Sequence, residues 1–110
     1  MQIYTSKEGN KLVLEVKGCL DAVTSPKLEE ECGDLIERGE KALVIDMGGV
    51  DYISSAGLRT ILILARKLNG SGGQIRFCAL RGMVQEVFSI SGFTSLFAVF
   101  PSVSEALGNS

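Results

Sequence analysis

The chain reads as one α/β domain: a mixed sheet of about five strands, an N-terminal hairpin, and about four helices packed on the sheet. Three observations predict this. Two short strand-like segments joined by a Gly-containing turn open the sequence. A continuous apolar run, Ala42-Leu43-Val44-Ile45, has the character of a strand covered on both faces. After the hairpin, helical and strand patterns alternate to the end of the 110 residues. Such alternation implies parallel strands joined by helical crossovers.

Each element follows from its own residues. Ile3–Ser6 is a short strand, Glu8-Gly9-Asn10 is turn chemistry, and Leu12, Leu14 and Val16 alternate with Val13, Glu15 and Lys17 at period two. Gly18–Thr24 is a loop. Ser25-Pro26 supplies an N-cap and a proline at the first helical position. Leu28, Cys32, Leu35 and Ile36 then form a helical stripe, with Glu29, Glu30 and Glu31 early and Arg38 late in accord with the helix dipole. Gly39 ends the helix. After the strand at Ala42–Ile45, Asp46–Ser55 reads as a loop holding Gly48-Gly49. Ala56–Leu68 is the second helix, stopped by Asn69-Gly70-Ser71-Gly72-Gly73, and Ile75–Leu80 is the next strand. Met83, Val84, Val87, Phe88 and Ser91 mark a third helix closed by Gly92, Leu96–Phe100 a last strand, and Ser102 with Glu105 a capping box for a short final helix.

Composition narrows the function. The chain has no histidine, which removes the commonest general base and the commonest transition-metal ligand. No Ser-His-Asp or Cys-His nucleophile system is available. A net charge of −2, from 11 basic and 13 acidic residues, predicts neither nucleic-acid nor membrane-surface binding. Three cysteines, Cys19, Cys32 and Cys78, show neither a C-x-x-C nor a paired framework, and suit thiols in a reducing cytoplasm. The first residues lack a signal-peptide pattern, and the longest apolar run, Ile61–Ala65, falls far short of a membrane span. The expectation is one cytoplasmic, non-enzymatic domain over residues 1–110, with no cofactor or metal.

The most informative segment is Asp51-Tyr52-Ile53-Ser54-Ser55-Ala56-Gly57-Leu58. Two serines stand where a loop meets an apolar helix. Either one serves as an N-cap for the free N–H groups of the first turn. The same place tolerates an anion, so a serine phosphorylated there need not unfold the domain.

These residues resemble the STAS domains, and within them the stand-alone anti-sigma factor antagonists. Gly18-Cys19-Leu20-Asp21-Ala22-Val23-Thr24 is similar to the family's Gly-x-Leu-Asp-x-x-Thr segment. Leu43–Val50 is similar to its Leu-Asp-Leu-x-x-Val strand and loop, and residues 51–58 to its phosphorylation loop. The resemblance covers essentially the whole chain and places the phosphoacceptor on Ser55. The family's acidic residue just before the acceptor is replaced by Ser54, which makes Ser54 a rival acceptor. What the resemblance implies is a partner switch. The unphosphorylated protein binds a GHKL-type serine kinase that is also an anti-sigma factor, and a sigma factor is released. Phosphorylation ends binding, and a serine phosphatase restores it. An alternative within the family is a regulatory subunit docked on the cytoplasmic face of a membrane transport complex.

Beside the serines, Asp21, Thr24, Ser54, Gly57, Arg59 and Ile63 are the expected partner-binding residues, with Asp46 a weaker candidate at the same sheet edge. In the second helix, Leu58, Ile61, Leu62, Ala65 and Leu68 are expected to face the core at roughly 100° per residue. Arg59, Ile63, Arg66 and Lys67 then share the outer face, where Ile63 is an apolar residue among cations. Gly70–Gly73 is a helix stop: it follows a helix and precedes a strand, the reverse of a phosphate loop.

Overall fold

A computed structural model describes residues 1–108. β1 (Gln2–Glu8) and β2 (Lys11–Leu20) pair antiparallel across a turn at Gly9, where φ is +65°. Then follow α1 (Ser25–Glu37), β3 (Ala42–Ile53), α2 (Ser55–Gly70), β4 (Gln74–Cys78), α3 (Gly82–Ile90), α4 (Phe93–Leu96), β5 (Ala98–Phe100) and α5 (Val103–Gly108). The five strands lie in chain order, β1-β2-β3-β4-β5, and every pair after the hairpin is parallel. The mixed sheet, its hairpin and its crossovers are as the sequence predicts.

The period-two pattern sorts side chains to two faces. Leu12, Leu14 and Val16 of β2, Leu43 and Ile45 of β3, and Phe77 of β4 join one core with α1, α2, α3 and Phe93 of α4. Their intervening neighbours Val13, Val44 and Cys78 form a smaller cluster on the other face, covered by Val103, Ala106 and Leu107 of α5. Arg76, on the same face, is buried and donates to the Ala106 carbonyl at 2.6 Å. Ser102 Oγ accepts from the Glu105 N–H at 3.2 Å, as the expected capping box requires.

Several boundaries differ from the expectation, each for a physical reason. The segment after Ile45 is strand, not loop: β3 runs to Ile53 because β2 pairs along its length, from Leu12 opposite Leu43 to Leu20 opposite Ile53. The register shifts twice on the way, between Glu15 and Lys17 and between Gly18 and Cys19. Gly48-Gly49 belongs to this irregular stretch. A Cβ on Gly49 would stand 3.1 Å from the Val16 carbonyl oxygen and 2.7 Å from Lys17 Cγ, so the glycine marks a close strand approach.

At the start of α1, Thr24 takes the cap position, Ser25 is the first helical residue and Pro26 the second. The Glu29–Glu31 run therefore lies beyond the first turn, and Arg38 is the C-cap. The dipole match read from their order is not realised. The helix ends as expected at Gly39, φ +97°: its N–H donates to the Ile36 carbonyl and that of Glu40 to Leu35, a Schellman pattern. Gly92, φ +81°, closes α3 but also opens α4, which shortens the last strand to Ala98–Phe100 and makes a fifth helix. Phe93 drives that extra turn. It is buried, and its ring meets Phe88 and Phe97 at centroid distances of 5.4 and 5.3 Å.

Candidate functional site

Two parallel strands and two helix starts build the site. β2 ends at Leu20 and β3 at Ile53, opposite one another, and the chain leaves each strand into a helix. The Ser54 N–H donates to the Leu20 carbonyl at 3.0 Å, which ties the start of α2 to the end of β2.

After β2, Asp21 organises its own loop. Its Oδ1 accepts from the backbone N–H of Val23 at 3.0 Å and of Thr24 at 3.1 Å. Thr24 Oγ1 donates to the Cys19 carbonyl at 2.7 Å and accepts from the Asp21 N–H at 3.0 Å. The backbone bond from Thr24, set against the cost of desolvation and joined by the N–H of Val23, holds the Asp21 carboxyl below its ordinary range. Asp21 Oδ1 and Thr24 Oγ1 are thus both committed to the loop. What the loop offers outward is Ala22 and Val23, the latter 86% exposed.

After β3, the two serines divide the work. Ser54 has extended backbone (φ −101°, ψ 175°), and its Oγ accepts from the Gly57 N–H at 3.4 Å, a long cap bond. Its carbonyl accepts from the Leu58 N–H at 3.0 Å. Ser55 is the first helical residue. It is exposed, and its hydroxyl has no hydrogen-bond partner among the described residues.

Gly57 is buried, so it is a spacer, not an outward contact as expected. A Cβ there would stand 2.7 Å from the Leu20 carbonyl oxygen and 2.9 Å from Ile53 Cγ1. Its lack of a side chain lets α2 begin directly against the two strand ends. Asp46 is not at this site either. It pairs with Glu15 and Cys78, and its Oδ1 accepts from the Gly48 N–H at 2.9 Å. It lies eight residues before Ser54, roughly 26 Å away along an extended strand.

Ser55, Arg59 and Ile63 follow at i, i+4 and i+8, and all three are exposed. Ile63 keeps 38% of its surface in water, and Arg66 and Lys67 continue the outer face. The inner face is turned slightly from the expected one. Gly57, Thr60, Ile61, Leu64 and Leu68 are buried, while Leu58, Leu62 and Ala65 are only half-buried. A groove of about 440 Å³ runs between the far half of α2 and the start of β5, lined by Leu62, Arg66, Leu96 and Phe97 among others. Ser55 stands outside it, at the helix start. Among the described residues there is no group of three His, Cys, Asp or Glu side chains placed to hold a metal ion. Nor is any helix among them long and apolar enough to cross a membrane.

The α/β module thus holds one hydroxyl free at a helix start, with an exposed stripe leading away from it. The chain belongs to the STAS domain family, whose model matches residues 2–106. A protein of Bordetella bronchiseptica named as an anti-sigma factor antagonist, BtrV, is 38% identical over 99 residues, 90% of this chain and 85% of that one. The crystal structure of an anti-sigma factor antagonist from Mycobacterium paratuberculosis superposes with a TM-score of 0.87 at 27% identity, covering 97% of this chain and 91% of the other. The phosphorylated form of the Bacillus cell fate determinant SpoIIAA shares the fold, with a TM-score of 0.77 at 16% identity and 97% of each chain covered.

Proposed function

We propose that this protein is an anti-sigma factor antagonist that works by partner switching. Its unphosphorylated form binds an anti-sigma factor that is also a GHKL-type serine kinase. That kinase phosphorylates Ser55, the complex separates, and a serine phosphatase returns the protein to its binding form. The names of its relatives support antagonism, and the geometry supports the site.

The observation that carries the reading is the contrast between the serines. Ser54 Oγ is engaged as the helix cap, whereas Ser55 Oγ is exposed and unbonded at the first helical position. A kinase reaches the second hydroxyl without breaking a bond of the fold. A phosphate there adds about 1.5–2 negative charges beside N–H groups that favour an anion, so the domain stays folded while its surface changes. Inside a close interface the same charge opposes binding through desolvation and repulsion. A penalty of about 3 kcal/mol corresponds to roughly a 150-fold loss of affinity.

The test is incubation with the cognate anti-sigma factor kinase and ATP, followed by mass spectrometry. The expected result is one phosphate, on Ser55, retained in Ser54→Ala and absent from Ser55→Ala. In calorimetry Ser55→Asp binds the kinase more weakly than the wild type, and Ser55→Ala binds but is not released by ATP. Phosphate on Ser54 alone, or equal affinity of the wild type and Ser55→Asp, overturns the assignment.

A further inference from the structure

Arg59 sits one turn after Ser55 on the exposed face of α2 and has no ion pair among the described residues. It is the only cation in the first two turns of the helix. Side chains four apart on a helix are neighbours, with Cβ atoms about 5–6 Å from one another. Helical side chains also lean toward the N-terminus. The Arg59 stem therefore lies back over the turn that Ser55 begins. Only small or half-buried residues, Ala56 and Leu58, flank the path on this face. The Asp21 carboxylate across the site turns one oxygen, Oδ1, to its own loop and makes no ion pair with Arg59.

We propose that Arg59 is a two-position contact: free to meet a carboxylate of the partner while Ser55 is unmodified, and captured by the phosphate once Ser55 is phosphorylated. The inference rests on Ser55 being the phosphoacceptor. It assigns the switch a second component. Phosphorylation adds an anion and also withdraws the cation nearest to it, because a planar guanidinium binds phosphate oxygens through two parallel N–H bonds. The docking face thus loses an attraction as well as gaining a repulsion. The partner is defined by chemistry: it presents an acidic side chain opposite Arg59, next to an apolar surface that covers Ile63.

The test installs phosphoserine genetically at position 55, so that no kinase is needed, and follows the phosphate by phosphorus NMR through its second ionisation near pH 6. The helix terminus acts equally in every variant, so differences isolate the arginine. In Arg59→Gln the midpoint rises by about 0.3 pH unit or more relative to the wild-type background, and Arg59→Lys recovers most of the difference. Midpoints that agree within 0.1 unit in all three proteins overturn the cis pair.

The second arm measures affinity for the cognate anti-sigma factor kinase. Unphosphorylated Arg59→Gln binds about 5- to 10-fold more weakly than the wild type, and phosphoserine 55 then costs it a smaller further factor. Wild-type affinity in Arg59→Gln overturns the partner contact. Failure of the wild type to bind the kinase at all is a different result: it defeats the partner-switch reading, while the phosphorus titration still decides the pair.

Discussion

Gly57 decides how Ser55, the proposed phosphoacceptor, is presented, although it carries no side chain. Helix propensity alone favours alanine there by about 1 kcal/mol. The environment opposes it, since the new methyl would meet the Leu20 backbone carbonyl at 2.7 Å and Ile53 Cγ1 at 2.9 Å. A backbone carbonyl cannot rotate away as a flexible side chain does, and overpacking of this kind costs about 1–3 kcal/mol or more. Gly57→Ala is expected to lose about 1–2 kcal/mol net in urea unfolding. It also shifts the start of α2 away from the strand ends, and so slows phosphorylation of Ser55 without touching it. At this scale the sequence was informative about residue types and less so about their duties. The paired serines and the glycine were visible as a motif. Which hydroxyl caps the helix and which stays free depends on the extended backbone of Ser54, which pairing with Leu20 imposes.

Elements are legible wherever apolar periodicity is strong, as in α1, α3 and the first part of β2; Gly18–Leu20, which reads as loop, extends β2 because it stays paired with β3. Elements are misread where glycine and polar residues serve packing. Gly48-Gly49 carries turn chemistry, yet it lies within β3 because β2 stays paired alongside it. The inner face of α2 is turned from the one its apolar residues predict because Gly57 and Thr60 are buried without being apolar. The short α5 shows the opposite balance, a helix of 6 residues that would not persist alone. It is held by Val103, Ala106 and Leu107 on the second face of the sheet, and by Arg76 bonding the Ala106 carbonyl. The Arg76 guanidinium also lies 5.6 Å from the centre of the Phe100 ring. Arg76→Leu removes both contacts and leaves the carbonyl without its donor, a loss of about 1–3 kcal/mol. Hydrogen exchange is expected to quicken in α5 and remain slow in β2 and β3. Equal protection of α5 in both proteins would refute this role for the arginine.

Across the whole molecule, one side of the sheet carries most of the core and the other a smaller cluster, and each side encloses one thiol. Cys32 of α1 is buried, and burial, with the neighbouring Glu31 charge, pushes its thiol up to about 12. Cys78 of β4 is pushed up to about 11 by burial and by Asp46, and it donates to the Ile45 carbonyl at 3.7 Å. Cys19 is exposed. In the native protein near pH 8 one thiol per chain is expected to react promptly with a disulfide reagent, and the other two only on denaturation; Cys19→Ser abolishes the prompt phase. The order of strands in space also repeats their order in the chain. No later strand has to insert between two earlier ones, and each pairs with the strand made just before it. The platform under Ser55 consists of β2, β3 and the start of α2, and all of it precedes β4. The surface around Ser55 therefore has its tertiary partners available on the emerging chain while the second half of the sheet is still to be translated.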